Sequence, residues 1–151
     1  MDVFCHNLNE LLMRAFRSVL KIEEQMLSGM GQYSLTINEM HMLEAVANQG
    51  NPGCTISELA KALSLKLPSI TVAVNKLEKK GLLKKERAAG DGRSVLVTLT
   101  ELGVKLERIH DRFHESMVRN IARDMDGNEK AALLLGMEKL NLYFDRKLTS
   151  D

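Results

Sequence analysis

A mainly α chain with one short β-hairpin is the fold class this sequence predicts, and three observations carry it. Leu and Met fill the apolar positions while aromatics are scarce, with four Phe, two Tyr and no Trp among 151 residues. That palette favours helices over a β-sandwich. Apolar residues recur at helical spacing through most of the chain. One stretch, "LLKKERAAGDGRSVLVTL", alternates instead around a glycine-bearing turn. The length suits a single domain, residues 1–151, large enough to bury a core.

Taken in order, residues 3–28 form one long helix, with Leu8, Leu11, Leu12, Ala15, Phe16, Val19, Leu20, Met26 and Leu27 as its apolar positions. "SGMGQY" breaks it with two glycines. "TINE" opens the second helix: Thr36 caps it and Glu39 reaches back, a capping box. "NQGNPG" ends it, and "TISE" repeats the device with Thr55 and Glu58 to start a short helix through Leu63. After the tight link "SLKL", Pro68 stands in the first turn of a fourth helix, where its missing N–H costs nothing. That helix runs to Lys80, with Gly81 beyond its end. "LLKKER" and "SVLVTL" are the hairpin strands and "AAGDG" the turn. Thr100 then caps a helix from Glu101 to about Met125, and Asp126 with Glu129 opens a last one to about Leu148.

Net charge is only +1, but its distribution is uneven. Between Lys61 and Arg93 stand nine basic residues against three acidic ones, a net +6, so the remainder sums to −5. A basic block in a slightly acidic chain is the footprint expected of polyanion binding. Two cysteines are too few for a disulfide framework. The N-terminus has no long apolar run, and no stretch approaches the length of a membrane span, so a cytoplasmic protein is expected. A Gly-rich phosphate loop, a nucleophile elbow and a metalloprotease histidine pair are all missing, which argues against an enzyme, and no cofactor is expected.

Two short helices joined by a tight turn and followed by a basic hairpin make a winged helix-turn-helix, a unit that reads double-stranded DNA. The second helix of the pair has the diameter of a major groove. Ser69, Thr71 and Asn75 are short polar groups suited to base edges or phosphates, and Lys76 adds a cation. Ile70, Val74 and Leu77 face the domain. At the hairpin tip Arg93 offers a planar cation to a narrow minor groove, and Asp91 pairs with it to fix its direction.

The run from "TISELAKAL" to "LTELG" resembles the DNA-binding lobe of the MarR family of bacterial regulators. "LEKKGLL", the D-x-R wing of Asp91 and Arg93, and "LTELG" carry the likeness, and the six-helix order matches along the whole chain. The resemblance implies a lobe over residues 33–100. It also implies a helical dimerisation region from 1–30 and 101–151, and a homodimer on a pseudo-palindromic operator. "VLKIEE", "INEMHMLE" and "HDRFHESMV" resemble more closely a subfamily that represses type II fatty-acid synthesis genes in Gram-positive bacteria. That likeness implies long-chain acyl-acyl carrier protein as corepressor, its chain held in an apolar channel. The carrier is acidic, so exposed basic residues are expected to receive it. The wing departs from the family pattern at Gly92, where another basic residue is common.

Other sensors are the alternative. His110 and His114 form an i, i+4 pair, and with His41 and Glu24 they offer ligand types for zinc, although two histidines specify little. Cys5, with His6 beside it, is the candidate for an oxidant sensor, whereas Cys54 reads as a small buried hydrophobe. A small aromatic ligand is the third possibility.

Overall fold

The computed structural model describes residues 2–88, 90 and 94–149. Six helices and one hairpin follow the expected order: α1 (Val3–Gly29), α2 (Ile37–Asn48), α3 (Ile56–Leu63), α4 (Leu67–Lys79), β1 (Leu83–Arg87), β2 (Val95–Leu99), α5 (Glu101–Arg123) and α6 (Gly127–Leu148). None of the helices among the described residues is long and apolar enough to cross a membrane. The chain divides within α5 into two compact units, Met1–Ile109 and His110–Asp151.

Three capping boxes set helix starts in the first and second units. Thr36 with Glu39, Thr55 with Glu58, and Asp126 with Glu129 each exchange side-chain and backbone hydrogen bonds in both directions. Each satisfies two N–H groups that a helix start otherwise leaves without partners. The link between α3 and α4 turns sharply because Ser64 adopts a left-handed conformation at φ 52°.

In the first unit the core gathers one face from each element. Met40, Leu43 and Val46 come from α2, Leu59 from α3, and Ile70, Val74 and Leu77 from α4. Leu82, Leu83 and Val97 close it from the hairpin, and Leu106 from the first turns of α5. The hairpin is antiparallel, pairing Leu83 with Leu99 through Arg87 with Val95. A third, one-residue strand joins it. Cys54 donates its N–H to Val97 O at 3.1 Å and accepts from Val97 N at 2.7 Å. The backbone approaches so closely there that a Cβ on Gly53, which sits at φ 111°, would lie 2.7 Å from Val97 O. Thr100 fastens the end of the hairpin: its hydroxyl donates to Gly81 O at 2.7 Å and accepts from Gly103 N at 3.1 Å.

Much of the apolar surface of α1 and α6 is uncovered. Val3, Phe4, Leu11 and Phe16 are exposed on α1 of the first unit. In the second unit α6 has no buried residue and exposes Leu134, Leu135, Leu142 and Tyr143 among others. Faces of this kind mark interaction sites.

Candidate nucleic-acid interface

Helix α4 sorts its residues by period. Ile70, Val74 and Leu77 are wholly buried and lock it to α2 and the hairpin. On the outer side stand Ser69, Asn75, Lys76 and Lys79, all exposed. Val72, 68% exposed between Ser69 and Asn75, is an outward residue that polar-residue reasoning passes over. An exposed valine on such a face suits the methyl group of thymine. The signal was present in the sequence: Val72 falls off the Ile70–Val74–Leu77 stripe.

Three of the four expected readers on α4 have internal partners. The Thr71 hydroxyl, half-buried, donates to Leu67 O at 3.0 Å within its own helix, leaving only its lone pairs. Asn75 Oδ1 accepts from Lys85 Nζ on β1, and Lys85 also pairs with Glu78 at 3.1 Å. The amide nitrogen of Asn75 keeps two protons to donate. Lys76 Nζ lies 2.9 Å from Glu39 Oε1, an ion pair with α2 that helical periodicity does not reveal. Ser69 has no side-chain partner among the described residues.

Glu39 is the electrostatic centre of this region and was expected only as a helix cap. It is 7% exposed, and its carboxylate accepts from Thr36 N at 3.0 Å and from Lys80 Nζ at 3.0 and 2.8 Å. Burial pushes its pKa up, but Lys80, then the Thr36 N–H, then Lys76 more than offset that and hold it at about 2. Of the basic block, Lys76, Lys80, Lys84 and Lys85 are thus paired internally. Lys61, Lys66, Lys79 and Arg87 have no ion pair among the described residues and supply the outward positive charge.

Below its tip the hairpin is well formed, and Ala88 N donates to Ser94 O at 2.8 Å beyond the last strand pair. Asp91 and Arg93, the expected acid–base pair, lie outside the described residues.

The residues singled out as sensors fall in both units. Of the two adjacent glutamates on α1, Glu23 rather than Glu24 meets His41: its carboxylate is buried and stands 3.6 Å from His41 Nε2. Glu24 is exposed on the other side, because neighbouring residues on a helix point about 100° apart. In the second unit His110 and His114 turn their Nε2 atoms towards each other at 3.0 Å, so one donates and the other accepts. Cys5 is exposed, and its thiol donates to Asp2 at 3.5 Å. His6 reaches Glu10 instead of supporting the thiol, at 3.5 Å. Cys54 is buried as expected, and burial, with Glu58 adding to it, pushes its thiol up to about 11.

Comparison with known proteins extends this geometry. A profile of the MarR family matches residues 33–94. The crystal structure of Streptococcus pneumoniae FabT in complex with DNA superposes with a TM-score of 0.87 at 33% identity, covering 93% of this chain and 97% of that one.

The chain belongs to the MarR family.

The curated relatives it matches are described as transcriptional regulators. The HTH-type regulator YfiV of Bacillus subtilis is 28% identical over 108 residues, covering 71% of this chain and 66% of its own length. ZitR of Lactococcus lactis is 32% identical over 81 residues, 54% of each chain. The matches thus span about two thirds or less of these curated relatives. As a MarR-family winged helix-turn-helix, the protein is a DNA-binding transcriptional regulator and not an enzyme.

Proposed function

We propose that the protein acts as a homodimeric repressor of fatty-acid synthesis genes, with long-chain acyl-acyl carrier protein as corepressor. The observation that carries this reading is the likeness to FabT over nearly the full length of both chains. In this reading residues 33–100 are the DNA-binding lobe, and 1–30 with 101–151 the dimerisation region. Ser69, Thr71, Asn75 and Lys76 face the major groove, while Asp91 and Arg93 form the wing that follows the minor groove.

Two further features support it. The exposed apolar faces of α1 and α6 are the kind a second copy covers, and a twofold dimer matches a pseudo-palindromic operator. Within the first unit, α1 and the start of α2 bound an open cleft of about 750 Å³ in which Leu20, Leu27, Leu35 and Ile37 stand beside an equal share of polar groups, among them Glu24, Ser28, Thr36 and Asn38. The apolar half of that lining offers an acyl chain a surface to lie against.

A mobility shift tests the proposal. The probe is the promoter of the fatty-acid synthesis genes at fixed salt, with acylated carrier, bare carrier or neither. Tighter binding with the acylated carrier alone is expected. Binding that is indifferent to the carrier overturns the corepressor, and no shift with any promoter fragment overturns the operator reading.

A further inference from the structure

One carboxylate and two ammonium groups meet beneath α4, and the two ammonium groups are not equivalent. Lys80 is the internal partner. Its three protons find three acceptors: both oxygens of Glu39 at 3.0 and 2.8 Å and Ser34 O at 2.8 Å. Lys76 is in surplus. A single 2.9 Å contact with Glu39 Oε1 holds it, and its side chain is 59% exposed. It lies on the outer side of α4, four residues after Val72 and seven after Ser69, so the three share a face one turn apart.

We propose that Glu39 is a specificity-determining positioning residue, sequestering the Lys76 ammonium from DNA phosphates so that Lys76 acts only where a base-edge acceptor replaces Glu39. The inference rests on α4 reading DNA, not on which genes are regulated.

The physics separates two kinds of binding. Affinity for any DNA comes from cations that neutralise phosphates and release condensed counterions, with a salt slope of about 0.9 per phosphate. A lysine that already carries its counter-charge 2.9 Å away, on a carboxylate held in the ionised form, contributes little to that term. Discrimination comes from acceptors such as guanine O6 and N7, which reach a side chain only when the helix is seated in the matching groove. Withholding a cation from the first term while leaving it available to the second widens the gap between right and wrong sites. Glu39 can hold Lys76 without mobility of its own, because Lys80 and the Thr36 N–H fix its carboxylate.

The test measures fluorescence anisotropy over a salt series for wild type, Lys76→Gln, Glu39→Gln and the double variant. One probe is a random-sequence duplex; the other is a duplex that the wild-type protein enriches from a randomised pool. Lys76→Gln is expected to keep the wild-type salt slope on random DNA and to lose roughly tenfold affinity for the enriched duplex. Glu39→Gln is expected to steepen the random-DNA slope by about 0.9 and to tighten that binding, and the double variant to revert it. A random-DNA slope shallower by about 0.9 in Lys76→Gln makes Lys76 an ordinary phosphate contact and overturns the proposal. So does Lys76→Gln binding the enriched duplex as wild type does. Should Glu39→Gln fail to fold, the Lys76→Gln measurements decide alone. Failure of the wild type to bind any duplex overturns this inference together with the DNA reading, whereas a wrong regulon leaves it standing.

Discussion

Titrating Glu39 should loosen the lobe in a narrow acid window. Its carboxyl falls from an ordinary 4.5 to about 2 in the folded chain, where Lys80, the Thr36 N–H and Lys76 outweigh the cost of burial. Each tenfold change in an ionisation constant corresponds to about 1.4 kcal/mol, so the folded state gains on the order of 3 kcal/mol from keeping Glu39 ionised. Because the folded value is depressed, that stability is fully present above the unfolded value and is lost as pH falls from about 4.5 towards 2. Solvent reaches Lys76 and part of Lys80, so screening lowers that figure and about 3 kcal/mol is its upper limit. The perturbation is Glu39→Gln, which keeps the shape, and a glutamine in the third helical position still completes a capping box. Urea unfolding followed by circular dichroism, at fixed protein concentration, compares the two proteins across this range. The variant should be less stable by up to about 3 kcal/mol near neutrality, and the gap should close as pH approaches 2. Two parallel profiles would refute the reasoning, because the difference would then not depend on the charge of residue 39.

Three other outcomes follow from the lobe. Gly53→Ala should destabilise by more than about 2 kcal/mol in urea unfolding, since alanine resists φ 111° and its methyl would meet Val97 O and Thr98; a loss below about 0.5 kcal/mol would mean that the loop yields easily. Thr98→Val should raise the melting temperature, because the buried Thr98 hydroxyl has no hydrogen-bond partner among the described residues and removing it is worth about 1 kcal/mol; an unchanged or lower value would point to a partner for that hydroxyl. Asn75→Ala should weaken binding to an enriched operator duplex roughly tenfold, with unfolding stability within about 0.5 kcal/mol of wild type because Lys85 retains Glu78. Equal losses on operator and random DNA would remove Asn75 from base reading.

What the sequence disclosed and what it hid divide by range along the chain. A capping box spans three residues, so Thr36–Glu39, Thr55–Glu58 and Asp126–Glu129 were each legible as a pair and each formed. The buried stripe of Ile70, Val74 and Leu77 was equally local, since period alone marks it. The contacts of Glu39 with Lys76 and Lys80 bridge about forty residues, and no spacing rule joins positions that far apart. The same holds for the strand at Cys54, where one residue is too short to alternate and its pairing with Val97 crosses 43 positions. Glu23 and Glu24 show a finer limit: the sequence reading placed Glu24 with His41, whereas the turn of the helix brings Glu23 there instead. The wing pair Asp91 and Arg93 was read from a local pattern but lies outside the described residues.

The single-residue strand at Cys54 changes what the hairpin can do mechanically. Its two hydrogen bonds tie β2 at Val97 to the residue just before the Thr55 cap of α3. A displacement of β2 at Val97 is therefore passed through these two bonds to the residue that precedes α3, so the base of the hairpin and the start of the helix pair shift together.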